Sequence, residues 1–320
     1  MTAPAAVPAA SPGRVKRWVL GARPRTLPAA LVPVLVGTAA AHPRFGPAGS
    51  PVGDAWWRAL GALVVALAIQ VGTNYANDYS DGIRGTDDVR VGPVRLVATG
   101  LASPGAVKRA ALLAFGVAGV VGVWLAAVTS WWVLLVGAAC LAAGWFYTGG
   151  PRPYGYAGFG ELFVFVFFGL VATEGTYYVQ TDRLGGGVVL FAAVAVGLLS
   201  TALLLANNLR DIDTDRLSGK RTLAARVGRR PAGWFYVASV ALPFVGVAVW
   251  GALAASGVVG GHQPVVTFLP LLAAPLAVGP IRTVLGDATG RALLPVLAAT
   301  GRLQLVFGVL LSGALWWWIR

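Results

Sequence analysis

Residues 60–88 read LGALVVALAIQVGTNYANDYSDGIRGTDD, an apolar run that passes directly into a segment rich in carboxylates. The segment carries Asp78, Asp81, Asp87 and Asp88, although only 12 of the 320 residues are Asp or Glu. Hydrophobic residues make up 57% of the chain and the mean hydropathy is +0.73, so the run is typical of a membrane span. We therefore interpret the chain as an integral membrane protein that places carboxylates at the end of a span.

The sequence contains nine windows long enough to cross about 30 Å of hydrocarbon. They lie at residues 26–42, 56–77, 106–129, 131–147, 161–180, 187–207, 233–255, 264–281 and 301–319. The first and eighth are interrupted by prolines, which membrane helices tolerate when neighbours satisfy the freed carbonyl groups. The sequence predicts an all-α membrane protein, with residues 1–22 as an N-terminal cytoplasmic segment and residues 23–320 as one nine-helix domain.

Basic residues divide unevenly between the two sides of these windows. All but four of the 25 Lys and Arg residues fall in the N-terminal segment or in loops on the same side; the exceptions are Arg44, Arg58, Arg183 and Arg320. The positive-inside rule therefore predicts a cytoplasmic N-terminus and an external C-terminus. An alternative is that residues 23–42 form a cleaved signal peptide, but the charge division fits better if they stay as the first helix.

The net charge and the Cys and His residues restrict the function. Attraction of the basic loops to anionic lipid explains the net charge of +13. Nothing in the sequence indicates nucleic-acid binding, because it has no basic domain with a folded core of its own. A single cysteine, Cys140, excludes an intramolecular disulfide or a multi-cysteine metal site. The two histidines, His42 and His262, lack the spacing of metal ligands.

A second acidic segment, NNLRDIDTDRLSGKRT at residues 207–222, resembles the first. Asn207 aligns with Asn74 and Asp211 with Asp78, each pair at the predicted cytoplasmic end of a span, which indicates an internal duplication. Helical spacing places the polar residues of each segment on one face. Seven of the twelve acids lie in the two segments: Asp78, Asp81, Asp87, Asp88, Asp211, Asp213 and Asp215.

Carboxylates at this spacing repel one another and require a cation. Simple salt bridges to neighbouring Arg and Lys residues are one explanation. The other is Mg²⁺, which prefers carboxylate and amide oxygens and completes its shell with water and substrate phosphates. Facing oxygen clusters with Arg and Lys interleaved would hold a metal-bound diphosphate.

Four segments resemble the UbiA superfamily of intramembrane prenyltransferases, and most closely its menaquinone branch, the 1,4-dihydroxy-2-naphthoate polyprenyltransferases. They are GARPRTLPAALVPVLVG (21–37), QVGTNYANDYSDGIRGTDDVRVGPVRLVATG (70–100), YTGGPRPYGYAGFGELFVFVFFG (147–169) and NNLRDIDTDRLSGKRTLAARVG (207–228). The resemblance implies nine helices around a central cavity, in the cell membrane, with the active site on the cytoplasmic side. It also implies transfer of a polyprenyl chain from its diphosphate to dihydroxynaphthoate, giving demethylmenaquinone and CO₂.

The resemblance also implies roles for individual residues. Two Mg²⁺ ions would be held by Asp78, Asp81, Asp211 and Asp215 together with Asn74 and Asn207. The diphosphate would be bound by Arg84, Arg152, Lys220 and Arg221. The substrate cavity would be lined by Asn74, Asn77, Asn207, Asn208, Tyr147, Glu174 and Tyr177, with Phe167 among the aromatic candidates for stabilising a carbocation.

Two departures from the family pattern concern these assignments. Position 85, where the quinone branches typically carry a further Asp, is Gly85. A Tyr-x-x-Lys element found in some relatives reads Tyr147-Thr148-Gly149-Gly150, which would transfer the basic role to Arg152. The glycine-rich stretch 149–160 is either a tight connection or a loop that caps the cavity.

Other functions fit parts of the same pattern. A prenyltransferase acting on hydroxybenzoate, homogentisate, a porphyrin or a phosphoribosyl group would carry the same two acidic segments. An ion-coupled transporter would also carry intramembrane acids, although transporters place them near the midplane on broken helices. A non-catalytic scaffold would not need paired Asn-x-x-x-Asp segments.

Overall fold

The computed structural model describes residues 12–42, 56–86, 94–260 and 263–319. The predictions made for Asp87, Asp88 and His262 lie outside these ranges. The described chain is helical, without strands. The helices of its first half are α1 Arg14–Ala22, α2 Pro28–Ala41, α3 Trp56–Ile83, α4 Pro104–Val128 and α5 Val133–Phe146. Those of its second half are α6 Gly160–Val164, α7 Ala172–Thr181, α8 Gly187–Leu217, α9 Leu223–Val227, α10 Arg229–Ala255, α11 Pro275–Leu285 and α12 Leu294–Ile319.

Each predicted window falls on a helix, but the windows differ in how they meet the requirements of a span. In the described ranges six helical segments are long and apolar enough to cross a membrane: Trp56–Ile83, Pro104–Val128, Gly160–Thr181, Gly187–Leu217, Arg229–Ala255 and Gly290–Trp318. Two bent helix pairs would each add a span if the pair is counted as one: Arg14–Thr26 with Pro28–Ala41 at 55° and Pro264–Ala273 with Pro275–Leu285 at 41°. The count is therefore six to eight, and the 14-residue α5 is the remaining window. Nine crossings and the orientation of the termini stay predictions.

The bends lie where proline interrupts the helix. Pro24 and Pro28 flank the change of direction between α1 and α2, and Pro275 opens α11 after a 3₁₀ segment. Proline lacks the N–H that would continue the helical ladder, so the helix bends at the prolines that interrupt these two windows. The helix α2 packs against α12 and α7 with most of its residues buried, so it belongs to the core of the described structure.

The helix α8 is the centre of the bundle. It packs against α2, α10, α12 and the segment that joins α6 to α7. On the other side of the molecule α3 packs along α4, and α1 lies across α3 through the contact of Trp18 with Tyr75, whose hydroxyl donates to the Trp18 carbonyl over 2.8 Å. The described part of the N-terminal segment is thus attached to the helical domain.

The segment Phe165–Val171 joins α6 to α7 as a π-helix. Its Gly169 lies against Gly197 of α8: a Cβ on Gly169 would come within 2.4 Å of the Gly197 Cα, so only glycine permits this approach. A π segment inside an α-helix frequently marks a functional site. Here it places Phe167, Phe168 and Val171 on the wall of a large internal chamber.

Candidate active site

A chamber of about 800 Å³ lies between α3, α4 and α5 on one side and α2, the Gly160–Thr181 span and α8 on the other. Its polar end is formed where α3 and α8 end and by the loops that follow them. Its remaining wall is apolar, with Val123, Leu134, Leu141 and Phe167 among the lining side chains. The chamber joins a charged end to an apolar body, a shape that suits a ligand with an anionic head and a hydrocarbon tail.

Asp81 is the central carboxylate of the polar end. Its Oδ1 accepts a hydrogen bond of 2.6 Å from the Tyr156 hydroxyl, and its Oδ2 lies 3.0 Å from the Lys220 Nζ. The Arg95 Nη2 lies 3.9 Å from the same Oδ2. Burial, followed by the neighbouring Asp81 charge, raises the pKa of the Tyr156 phenol, so this group remains a donor throughout the neutral range.

Lys220 connects the two acidic segments. It follows the end of α8, its backbone N–H donates to the Asp215 carbonyl over 2.8 Å, and its side chain reaches Asp81 of α3. Asp215 also lines the chamber, and its Oδ2 accepts from the Thr222 hydroxyl over 3.1 Å. The ends of α3 and α8 therefore meet at one site, as the duplicated motif predicted.

Cations outnumber acids on the chamber wall. The described lining includes five basic side chains and two acidic ones: Arg23, Arg25, Arg95, Arg210 and Lys220 against Asp81 and Asp215. Arg95, Arg210 and Lys220 are buried, with at most 7% of each residue exposed. Buried cations on the wall of a low-dielectric chamber favour binding of a polyanion, which can take over from the carboxylates that pair with them.

Asp78, a predicted metal ligand, does not line the chamber. Its two carboxylate oxygens accept hydrogen bonds from the backbone N–H groups of Leu96 (2.8 Å) and Val97 (3.0 Å). These bonds fix the loop that follows α3 and so position Arg95 on the chamber wall. In the described structure Asp78 thus anchors this loop, and its role as a metal ligand stays a prediction.

Asp211, the counterpart of Asp78, is also used within the protein. It forms a two-pronged ion pair with Arg210, in which Nε and Nη2 each lie 2.7 Å from a carboxylate oxygen. Arg210 lines the chamber and Asp211 does not. The Arg210 Nη1 is buried without a hydrogen-bond partner in the described part of the chain. Asp211 therefore orients a chamber cation in the described structure, and its role as a metal ligand stays a prediction.

The four predicted diphosphate ligands occupy different places. Lys220 lines the chamber. Arg84 donates to the carbonyl groups of Thr148 and Gly150 and so fastens the end of α3 to the loop after α5. Arg152 is exposed, and Arg221 is exposed in a shallow basic depression outside the chamber. Only Lys220 of this set is placed to contact a ligand inside.

The predicted asparagines all lie near the polar end. Asn74, Asn77, Asn207 and Asn208 line the chamber. Asn77 accepts a 2.7 Å hydrogen bond from the Thr148 hydroxyl, and Asn208 donates to the Glu161 Oε1 over 2.9 Å. Glu161, at the start of α6, thereby supports Asn208.

The predicted aromatic and acidic cavity residues separate into two groups. Tyr147 and Phe167 line the chamber, whereas Tyr177 is only 1% exposed and packs in the hydrophobic core. Glu174 accepts a 3.0 Å hydrogen bond from the Gly185 backbone N–H and stabilises the loop after α7. Glu174 and Tyr177 thus lie outside the described chamber lining, and their predicted cavity roles stay predictions.

A row of aromatic rings follows the chamber wall away from its polar end. Tyr147 meets Tyr154 edge-on at 5.5 Å, Tyr154 stacks on Phe163 at 4.0 Å, and Phe163 lies 5.8 Å from Phe167. Tyr154 and Tyr156 belong to the glycine-rich stretch and line the chamber, as a capping loop would. The faces of such rings stabilise a nearby cation.

Several chamber residues were not found by sequence reasoning. They are Arg23, Arg25, Thr26, Gln70, Thr73, Arg95, Tyr154 and Tyr156. Gln70, Thr73, Asn74, Asn77 and Asp81 form one stripe on α3, and the helical spacing of these polar residues within an apolar run was the available signal. The loop residue Arg95 had no such pattern.

The donor set is compatible with Mg²⁺. Among the described residues there is no group of three or more His, Cys, Asp or Glu side chains placed to form a closed metal cage. Mg²⁺ does not require one, since it commonly binds one or two carboxylates together with water and substrate phosphates. Asp81 and Asp215 are the carboxylates that face the chamber.

Comparisons with known proteins agree on one family. The model of the UbiA prenyltransferase family matches residues 30–285. A Mycobacterium tuberculosis protein named 1,4-dihydroxy-2-naphthoate octaprenyltransferase is 49% identical over 93% of this chain and 96% of its own length. An Escherichia coli protein of the same name is 34% identical with the same coverage. The fold matches the solved structure of a UbiA homolog from Archaeoglobus fulgidus bound to DMAPP and Mg²⁺, with a TM-score of 0.59, 14% identity and coverage of 93% of this chain and 98% of that one.

Proposed function

Because this chain belongs to the UbiA prenyltransferase family, we propose that it transfers a polyprenyl group from polyprenyl diphosphate to 1,4-dihydroxy-2-naphthoate in menaquinone biosynthesis. The relatives that carry this name support the acceptor. The observation that carries the proposal is the chamber itself, in which Asp81, Lys220 and Asp215 meet at one end of an apolar cavity. The multi-pass helical architecture places this chemistry in a membrane.

The polar end would hold the diphosphate. Lys220, Arg95 and Arg210 supply buried positive charge for the phosphate oxygens. Asp81 and Asp215 would hold Mg²⁺, which when bound neutralises charge on the departing diphosphate. Two carboxylates can serve one ion or contribute one ligand to each of two, so the predicted pair of ions remains part of the proposal. Tyr156 orients Asp81 through its hydrogen bond.

Cleavage of the C1–O bond sends the electron pair to the diphosphate and leaves an allylic cation. The aromatic row from Tyr147 to Phe167 lies on the wall beside this end and would stabilise the cation through its ring faces. The apolar wall and the Tyr154–Ala157 cap exclude water, which would otherwise trap the cation as an alcohol. The acceptor ring carbon that bears the carboxyl group then bonds to C1, and CO₂ leaves, giving demethylmenaquinol, the reduced form of demethylmenaquinone.

The polyprenyl tail would lie along the apolar wall formed by α4, α5 and the π segment. A soluble protein would have to enclose the whole isoprenoid chain, because each methylene left in water costs about 0.8 kcal/mol. A chamber between membrane helices leaves the tail near the lipid in which it dissolves. We place the site at the cytoplasmic face of the cell membrane on the basis of the distribution of basic loops.

The proposal is tested with the purified chain in lipid nanodiscs, Mg²⁺, dihydroxynaphthoate carrying a labelled carboxyl group, and prenyl diphosphates of several lengths. We expect a prenylated naphthoquinol by mass and release of the label as CO₂. Asp81→Asn and Asp215→Asn should lower turnover at least about 100-fold. Asp213→Asn is the matched control, because Asp213 lies in the same motif with 75% of its side chain exposed.

Two results would contradict the proposal. Prenylation of hydroxybenzoate or another acceptor in preference to dihydroxynaphthoate would refute the acceptor. Equal activity of Asp215→Asn and Asp213→Asn would refute the assignment of the diphosphate site.

A further inference from the structure

The chamber lining ends at one level on five helices. Away from the polar end, the last lining residues are Val34 of α2, Ala62 of α3, Leu125 of α4, Val133 of α5 and Val179 of α7. Val34, Ala62 and Val179 are buried and form one apolar cluster, and Val133 packs against it. We call the surface formed by these five residues the floor of the chamber, because it lies opposite the polar end.

Arg58 fastens the floor from the side opposite the chamber. It lies one helical turn beyond Ala62 on α3, and its guanidinium group donates to the carbonyl groups of Val179 (3.2 Å) and Val128 (3.1 Å). The same group pairs with the Asp182 carboxylate over 3.3 Å. These bonds join the ends of α3, α4 and α7, so the helices that carry the floor are held at a fixed separation.

The length of the chamber can be measured along α3. A diphosphate held at Asp81 would occupy the turn between Asp81 and Asn77, which places C1 of the prenyl chain near Asn77. From Asn77 to Ala62 the helix advances 15 residues, or about 22 Å. The helix α4 reaches the floor at the same level, because a Cβ on Gly61 would lie 3.1 Å from the Leu125 Cδ2.

This length limits how much of a prenyl tail the chamber can hold. An extended isoprene unit spans about 5 Å, since it adds four carbon–carbon bonds of about 1.5 Å each. The space between Asn77 and the floor therefore accommodates about four extended units. A longer tail has to turn out between the helices into lipid. Lipid is as apolar as the chamber wall, so the units that leave lose the close packing of the wall but not their apolar surroundings.

We propose that the floor determines how many isoprene units the protein recognises, with about four units held in the chamber and the remainder in lipid, an inference that rests on the proposed function. Units inside the chamber contribute to catalysis, because an apolar cavity left unfilled costs free energy in proportion to its volume. Units beyond the floor contact no part of the wall and contribute nothing. The floor therefore discriminates among short tails and accepts all long ones equally.

Two glycines of α4 allow the length of the chamber to be changed. Gly119 and Gly122 line the chamber, and a Cβ at either position would meet no atom within 4 Å. Gly122 lies about 4.5 Å and Gly119 about 9 Å along the helix axis from Leu125 at the floor. Gly122→Leu should therefore shorten the chamber by about one isoprene unit and Gly119→Leu by about two. Gly116→Leu is the matched control, because Gly116 of the same helix also has open space around it but lies outside the chamber lining.

The test measures kcat/KM in lipid nanodiscs for a series of prenyl diphosphates that differ by one isoprene unit, with dihydroxynaphthoate as the acceptor. In the wild-type protein kcat/KM should rise about 3- to 10-fold with each unit up to about four and should not rise further. The length at which the rise stops should move to about three units in Gly122→Leu and about two in Gly119→Leu, and should stay in place in Gly116→Leu. The kcat/KM for the shortest substrate should be the same in all four proteins, which shows that each variant is folded with its diphosphate site intact.

The failure of this inference and the failure of the proposed function give different results. Absence of dihydroxynaphthoate prenylation by the wild-type protein at every chain length refutes the proposed function. Normal prenylation with a kcat/KM that keeps rising well beyond the fourth unit refutes the role of the floor. The same conclusion follows if Gly122→Leu and Gly119→Leu leave the length at which the rise stops unchanged, including the case in which they lower kcat/KM equally at all lengths.

Discussion

The pair formed by Asp81 and Lys220 allows the structural and chemical roles of one contact to be separated. Only 2% and 6% of the two side chains are exposed, and the Oδ2 and Nζ atoms lie 3.0 Å apart. Removing one partner of a buried ion pair leaves an uncompensated charge and costs about 3–5 kcal/mol, whereas removing both is often nearly neutral. Asp81→Asn and Lys220→Met should therefore each destabilise the protein by several kcal/mol.

The double variant Asp81→Asn/Lys220→Met should recover more than half of the lost stability. Recovery should be incomplete because Arg95 and Tyr156 also contact Asp81. The free energy of unfolding is measured in mixed detergent micelles for the four proteins, and prenyl transfer is measured in parallel. Turnover should stay at least about 100-fold below wild type in the double variant, since the diphosphate has lost both groups. Additive losses of stability would show that the two residues do not form a pair and would refute the reasoning.

Three further predictions concern other contacts of the site and the core. In steady-state kinetics, Asp211→Asn should raise the KM for prenyl diphosphate about 10-fold with little loss of kcat, because Arg210 loses its two-pronged partner. A loss of kcat equal to that of Asp81→Asn would indicate that Asp211 is a direct ligand instead. The free energy of unfolding should fall as pH rises above about 10 and should fall less steeply in Tyr156→Phe. The reason is that burial and Asp81 raise the folded-state pKa of this phenol, so the stabilisation is complete below the unfolded pKa and is lost as the pH rises through the folded one; identical slopes would contradict it. Gly197→Ala should destabilise the protein by about 1–3 kcal/mol, because the new Cβ would lie 2.9 Å from the Phe165 carbonyl oxygen. Gly116→Ala is the control, since it has open space around it and should not change the stability. Equal melting temperatures of the two variants would show that the close packing is not required.

The helical architecture and the meeting of the two acidic segments were predictable because they depend on hydropathy and on helical spacing. The run at residues 60–72 is apolar enough to define its helix without tertiary information, and Asn74, Asp78 and Asp81 extend it by the period of 3.6. The short helix α5 and the proline-bent α1–α2 pair were less certain, since length and proline content both argue against a simple span.

The roles of the individual acids were not predictable. Asp78 and Asp81 are equivalent by composition, yet one accepts two backbone N–H groups and the other faces the chamber. That difference depends on where residues 94–97 return to α3, which no local pattern encodes. Asp211 was likewise assigned from its motif, which did not predict its ion pair with the neighbouring Arg210. The π segment also escaped prediction, because an α and a π turn have the same apolar composition.

The engagement of Asp78 with two peptide groups has a consequence for the end of the catalytic cycle. Because this carboxylate is held by two peptide groups outside the chamber lining, five cations and two carboxylates line the described wall, which retains a substrate chiefly by its phosphorylated head. The prenylated quinol has lost that head and carries no charge of its own. On the proposed function, loss of the diphosphate therefore also weakens binding of the product. The product can then diffuse into the bilayer without a separate conformational change.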